Sequence, residues 1–169
     1  MTTQVSNSLT YDGQTFEIIK FSNADPFYSL ELNLNPVPAS TACWRGYYYS
    51  YLVKDYRLYL NNLIVNHSDD NKTPSKTPPP PINDIEAFVS SSPAIGKWQY
   101  NNIELFLDYT GKIIIARDFN HMRYGDTPLR LLSYYKTVYE LDFSQGVLLD
   151  SIRFDEARLK AIDNQAMDI

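Results

Sequence analysis

Few side chains here are equipped for covalent or acid–base chemistry. The chain has one cysteine, Cys43, and two histidines, His67 and His121, set among 20 carboxylates. Cys43 precedes Trp44 and Arg45, and a neighbouring guanidinium can lower a thiol's pKa and make it nucleophilic. At the head of a dense apolar run, the stronger reading is a small buried hydrophobe. His121 sits in Asp118-Phe119-Asn120-His121-Met122-Arg123-Tyr124, a polar, loop-like stretch. Paired with a carboxylate in a cleft it would do acid–base work; otherwise it is a solvated loop histidine, and that reading is favoured. Asp69-Asp70 are adjacent and diverge unless their loop is fixed. The chain has no G-x-S-x-G elbow, H-E-x-x-H, C-x-x-C, EF-hand spacing, P-loop or G-x-G-x-x-G. No catalytic residue, metal-ligand set or cofactor is assigned on this basis.

The segment that stands out is aromatic. In Trp44-Arg45-Gly46-Tyr47-Tyr48-Tyr49-Ser50-Tyr51, strand alternation puts Tyr47, Tyr49 and Tyr51 on one face. Facing an open concavity, they would stack on a sugar, a base or another planar ligand. Facing another part of the sheet, they are core, which is the favoured reading because strands prefer aromatic rows. The candidate binding or buried polar site is therefore Trp44, Arg45, Tyr47, Tyr49 and Tyr51, with His121 and Glu140. Arg45, at the edge of the row, needs a partner if buried. Glu140, in the best alternating strand, is the expected one.

Composition limits what such a site can serve. The chain has 169 residues and a net charge of −5, which argues against a general nucleic-acid binder. This length supports one self-sufficient core and makes two full domains unexpected. One cysteine excludes an intramolecular disulfide framework. The N-terminal residues lack the charged and apolar regions of a secretory signal. No run approaches the roughly 20 apolar residues that span a bilayer. The expectation is a soluble cytoplasmic protein, with a homo-oligomer allowed.

The elements that must position these residues read as β-hairpins. The first covers residues 7–21, with Asp12-Gly13 as a type I′ turn. The second covers about 43–65 and turns near Lys54-Asp55-Tyr56. A change of parity at Asn61-Asn62 predicts a bulge or a strand end there. The third covers about 102–117 around Asp108-Tyr109-Thr110-Gly111. The fourth covers about 137–154 around Phe143-Ser144-Gln145-Gly146. Both of these turns read as type I closed by a G1 bulge. Asp155 should cap a helix over 156–164. Residues 66–83 read as a Pro-rich polar excursion, and Ile85, Phe88 and Val89 fit one side of a short helix. Leu129, Leu131 and Leu132 fit a short helix or an irregular strand. The expected fold is mostly β, a β-rich α+β single domain over 1–169. Antiparallel hairpins would form a curved sheet, sandwich or partly open barrel, with one or two short helices.

Ser40-Thr41-Ala42-Cys43-Trp44-Arg45-Gly46-Tyr47, followed by a hairpin and Leu58-Tyr59-Leu60, resembles the signature of a family of small bacterial proteins with no known activity. Glu104 to Ile115 is similar to a second stretch of that family, and Val138-Tyr139-Glu140 through Gly146-Val147-Leu148 to a third. The resemblance covers about residues 9–154. Where the family has a His- and Gly-rich segment, this chain has Leu132-Ser133-Tyr134-Tyr135-Lys136-Thr137. The resemblance implies no catalytic role. The functional expectation is a non-catalytic binding or protein-interaction protein, immunity-like in its acidity, with an unknown protein or small molecule as partner. The alternative is a small-ligand carrier with a tyrosine-lined pocket. An enzyme using carboxylates and His121 comes last.

Overall fold

Tight turns organise the molecule. Asp12 and Gly13 both have positive φ (52° and 74°), so β1 (Ser8–Tyr11) and β2 (Gln14–Phe21) join through the expected I′-type loop. Asp55 and Tyr56 do the same without a glycine, with φ of 50° and 61°. They join β3 (Tyr47–Lys54) to β4 (Arg57–Val65). Gln145 and Gly146 (50° and 79°) join β9 (Tyr135–Ser144) to β10 (Val147–Arg153). This last turn is therefore a two-residue loop, not the expected type I turn with a G1 bulge.

The computed structural model describes residues 3–120 and 131–167. The remaining strands are β5 (Phe88–Val89), β6 (Trp98–Tyr100), β7 (Leu105–Phe106) and β8 (Gly111–Phe119). They complete a 10-stranded sheet in the order β10-β9-β8-β2-β1-β3-β4-β6-β5, with β7 on β4. The sheet curves into a ring. It closes where Val147 pairs with Arg57, helped by Leu148 N–H to Tyr56 O at 2.7 Å. The pairings are antiparallel except β1 with β3, which run parallel, so the sheet is mixed. The mostly-β expectation holds, in its curved-sheet, barrel-like form.

The third expected hairpin does not form. β7 pairs with β4, Tyr59 opposite Phe106 and Leu60 opposite Leu105, while β8 lies between β2 and β9. The cause is the outer edge of β4, which β10 leaves after one pair. The 103–107 segment fills that edge, with Ile103 N–H to Asn61 O at 2.8 Å and Leu107 N–H to Leu58 O at 2.9 Å. Ile103 and Leu107 are buried as a result. Nor is there a helix near residue 85. Asn83 and Asp84 have positive φ and fold Ile82 back onto Ile85. Phe88 and Val89 then form an exposed edge strand.

The interior of the ring is filled by Leu9, Phe16, Leu58, Leu60, Ile113, Ile115, Leu141 and Phe143, with Tyr49 and Tyr51. Each such side chain stabilises the fold by about 1.5–3 kcal/mol. The Pro-rich segment is strapped onto this body. The Trp98 indole donates to Ser75 O (3.1 Å) and the Tyr100 hydroxyl to Pro80 O (2.6 Å), and Ile82 enters the core. A second cluster, including Phe154 and Leu159, lies under α1 (Glu156–Met167). Asp155 Oδ1 accepts from Arg158 N–H at 2.8 Å, which is the expected cap. From the other end of that helix, Asp163 accepts from Leu132 N–H and Ser133 N–H and holds a 3-10 turn at Leu132–Tyr134. Leu129 and the Asp126-Thr127-Pro128 turn lie outside the described residues. Among the described residues, no helix is long and apolar enough to cross a membrane.

Candidate functional site

The aromatic face depends on one bulge. Ser50 pairs with Asn62 and Tyr51 with Leu60, so Asn61 is the extra residue, where the parity change predicted it. β3 keeps strict alternation past this point and turns Tyr47, Tyr49 and Tyr51 inward. They are 8%, 1% and 0% exposed. Tyr51 stacks on Tyr49 at 4.4 Å between centroids, Tyr49 on Phe27 at 4.8 Å, and Phe27 on Tyr47 at 5.0 Å. The tyrosine face is therefore covered, by Phe27 and by the ring's own interior.

Its hydroxyls are satisfied by a segment to which the sequence reading assigned no role. Asp25 Oδ1 accepts from the Tyr51 hydroxyl at 2.6 Å, and Asp25 Oδ2 from the Tyr49 hydroxyl. Asp25 Oδ1 also caps a 3-10 turn at Pro26–Ser29 through Phe27 N–H at 3.0 Å. Burial pushes the Tyr49 and Tyr51 hydroxyls far above the usual tyrosine range. For Tyr49 the Asp25 charge adds to this; for Tyr51 both the Tyr49 hydroxyl and the Asp25 charge do. Burial also raises Tyr47, helped by its hydrogen bond to Tyr28 at 2.9 Å. The available signal was Asp25-Pro26, a capping residue followed by proline at the first position of a turn.

The ladder opens at one end. Tyr47 borders a groove of about 470 Å³ whose other walls include Leu30, Leu32, Leu34, Pro36 and Val65. Among the described residues lining it, Glu31 is the one that is charged. Tyr28, 71% exposed, stands at its end. Of the three tyrosines only Tyr47 reaches this space.

The other expected residues separate. Arg45 donates from Nε to Tyr47 O (2.8 Å) and from Nη2 to Asn7 Oδ1 (2.9 Å), and its guanidinium lies 5.3 Å from the Tyr47 ring centroid. It does not pair with Glu140, contrary to expectation. Glu140 is on β9, separated from β3 by β8, β2 and β1 along the sheet. It lies 3.6 Å from Lys112 Nζ and 3.7 Å from Arg158 Nη2, where it ties the sheet to α1. Trp44 is 65% exposed, its backbone N–H held by Gln4 Oε1. Cys43 is buried, with Sγ 3.5 Å from Tyr47 O. His121 lies outside the described residues. Asp70 is engaged as a loop acceptor, and the described residues contain no group of three or more His, Cys, Asp or Glu side chains placed to hold a metal ion.

No protein-family model, curated protein or solved structure matches this chain. The arrangement itself offers rings, apolar walls and hydroxyls. Such groups bind and orient. Asp25, the carboxylate that accepts from the ladder's hydroxyls, is already engaged by two phenols and a backbone N–H.

Proposed function

We propose that this chain is a non-catalytic binding protein that engages another protein, and that the groove beside Tyr47 receives an apolar segment of that partner. The observation that carries this reading is the lining of the groove: aliphatic walls, two tyrosines at one end and a single carboxylate, Glu31. An apolar centre with a polar rim is the usual anatomy of a protein interface. Exposed tyrosine is among the residue types that anchor such interfaces. A net charge of −5 favours encounter with a basic partner. A cytoplasmic, immunity-like protein of bacterial origin that masks a basic protein fits these features. The reading needs neither nucleic acid nor membrane.

The volume favours a second reading. About 470 Å³ falls within the range of small-molecule sites, so a carrier of a small apolar ligand is the alternative. In that case the ligand would lie against Tyr47 and the leucines, because Tyr49 and Tyr51 are covered. An acid–base enzyme would rest on His121, which lies outside the described residues.

The test uses the tagged chain beside Leu32→Asp and Tyr28→Ala variants with melting temperatures matched to the parent. The expected result is a basic protein retained from source cells by the parent and lost by both variants, with retention that weakens as salt is raised. N-phenyl-1-naphthylamine, a neutral apolar dye, separates the two readings. Dye fluorescence that rises with the parent, fails with Leu32→Asp and accompanies no retained protein would replace the interaction reading by the carrier.

A further inference from the structure

The outer face of the ring carries a second depression, unlike the groove in chemistry. It measures about 440 Å³ and is built across β2, β1, β3, β4 and β6. Two rows of side chains cross it. Ser8 pairs with Ser50, and Ser50 with Asn62. Tyr48 pairs with Ile64, and Ile64 with Gln99. The rows are two residues apart along the strands, roughly 7 Å. Their residues share the outer face because Tyr47, Tyr49 and Tyr51 take the inner one. The lining is completed by Thr10, Thr15, Asn101 and Asn102 and, among the described residues, contains no charged side chain, in a chain whose residues are 21% charged.

Hydrogen bonds among these groups leave capacity over. The Gln99 amide donates to Asn101 Oδ1 at 2.9 Å, and Asn62 Oδ1 accepts from Asn102 N–H at 3.3 Å. Ser8 Oγ and Tyr48 OH lie 2.5 Å apart. Gln99 Oε1 is buried and, among the described residues, has no donor. Natural structures leave few such atoms, and each calls for a partner that completes it. Asn61 Oδ1, at the adjoining bulge, is in the same condition.

We propose that this face binds a neutral saccharide, with Gln99, Asn62, Ser50 and Ser8 as hydrogen-bonding partners of sugar hydroxyls and Tyr48 as the aromatic contact. The lining selects this class by what it offers. A phosphate or sulfate group needs cationic or clustered N–H partners, and the lining side chains include no Lys or Arg. A lipid needs apolar walls, and Ile64 is the one aliphatic residue there. An extended peptide needs a free strand edge, whereas β1, β3 and β4 each have strands paired on both sides at this point. Sugar hydroxyls donate and accept at once, as do the hydroxyls and amides of this face. The inference is independent of the groove beside Tyr47.

The test is amide chemical-shift mapping of the full chain with maltohexaose, cellohexaose and chitotriose, each at about 10 mM to reach the weak-binding regime. Polygalacturonate serves as the anionic comparison. At least one neutral sugar should shift resonances of Ser8, Tyr48, Ser50, Asn62 and Gln99. Gln99→Leu should weaken that binding tenfold or more while leaving the melting temperature unchanged or raised, because it removes an unpaired oxygen. Asn62→Ala provides a second variant with the same expected loss. The proposal is overturned by no shift with any of the three neutral sugars, by shifts centred elsewhere, by preference for polygalacturonate, or by binding that survives both substitutions.

Discussion

The Tyr51 hydroxyl donates to Asp25 Oδ1 at 2.6 Å across 26 residues of chain, and the same carboxylate receives the hydroxyl of Tyr49. One surface segment thereby satisfies the two most deeply buried polar atoms of the aromatic ladder and delivers Phe27 to stack on its rings. The same segment continues through Leu30, Leu32 and Leu34, which line the groove that Tyr47 borders.

Asp25→Ala should therefore destabilise the protein well beyond an ordinary surface change. Each hydroxyl left unsatisfied costs about 1–3 kcal/mol, and the cap on Phe27 N–H is lost as well. For a chain of this length, the melting temperature should fall by something on the order of 5–15 °C. Asp25→Asn retains an acceptor oxygen and should fall clearly less. Thermal unfolding of both variants followed by circular dichroism reads the difference; equal melting temperatures would remove Asp25 from this role.

Alkaline pH should act on the same ladder. Tyr49 and Tyr51 have folded-state pKa values raised far above the ordinary 10.0, burial being the largest cause. A raised acid is fully protonated, and its contribution to stability fully present, below the unfolded value. That contribution is lost as pH rises from about 10 toward the folded values. Ultraviolet titration follows tyrosine ionisation as the pH is raised, beside circular dichroism for the fold. Tyr49 and Tyr51 should ionise only together with unfolding. A single smooth transition near pH 10, with the fold intact, would contradict the buried ladder.

Much of the architecture was legible where a local rule decided the outcome. Asp12-Gly13 specified its turn, Asp155 its helix, and the parity change at Asn61 its bulge. What escaped notice was decided by competition for a distant edge. Glu104 to Ile115 has the pattern of a hairpin, but the vacant edge of β4 takes Leu105 and Phe106, and β2 and β9 take β8. The Arg45–Glu140 expectation failed for a related reason. Both residues lie beside aromatic rows, but nothing local told how many strands separate those rows. Of the candidate site, the inward face of Tyr47, Tyr49 and Tyr51 was readable from period-2 alternation. Asp25 and Phe27, which complete it, come from a segment whose own pattern showed only a cap.

Gly46→Ala should be among the costliest single-methyl changes. Gly46 has φ of +77°, and a Cβ there would lie 2.2 Å from the Val37 carbonyl oxygen, a backbone atom that cannot rotate away. The left-handed penalty of about 1–2 kcal/mol then adds to overpacking of about 1–3 kcal/mol. Gly13→Ala is the matched comparison, since φ is +74° but nothing lies within 4 Å of the new methyl. It should cost only the left-handed term. Denaturant midpoints for the pair test the contrast, and similar losses would show that the Val37 contact yields.

Acid should loosen the 68–75 loop through the carboxylate of Asp70. Asp70 Oδ1 accepts from Lys72 N–H (2.9 Å), Thr73 N–H (2.8 Å) and Ser68 Oγ (3.0 Å), and Oδ2 accepts from Thr73 Oγ1 (3.0 Å). The backbone bonds from Thr73 and Lys72 are the main reason that its pKa lies far below the ordinary 3.8. A lowered carboxylate contributes its full loop-ordering effect above the unfolded value. It loses that effect as pH falls from 3.8 toward the folded value. The carboxyl resonance of Asp70 should therefore stay at its ionised position at pH 3.8, where an ordinary aspartate is half protonated. Exchange of the Lys72 and Thr73 amides should then speed up as the carboxyl protonates. In Asp70→Asn those amides should exchange faster at neutral pH, and their protection should no longer follow a carboxyl titration. A normal Asp70 titration midpoint in the parent would show that these four contacts do not hold the loop.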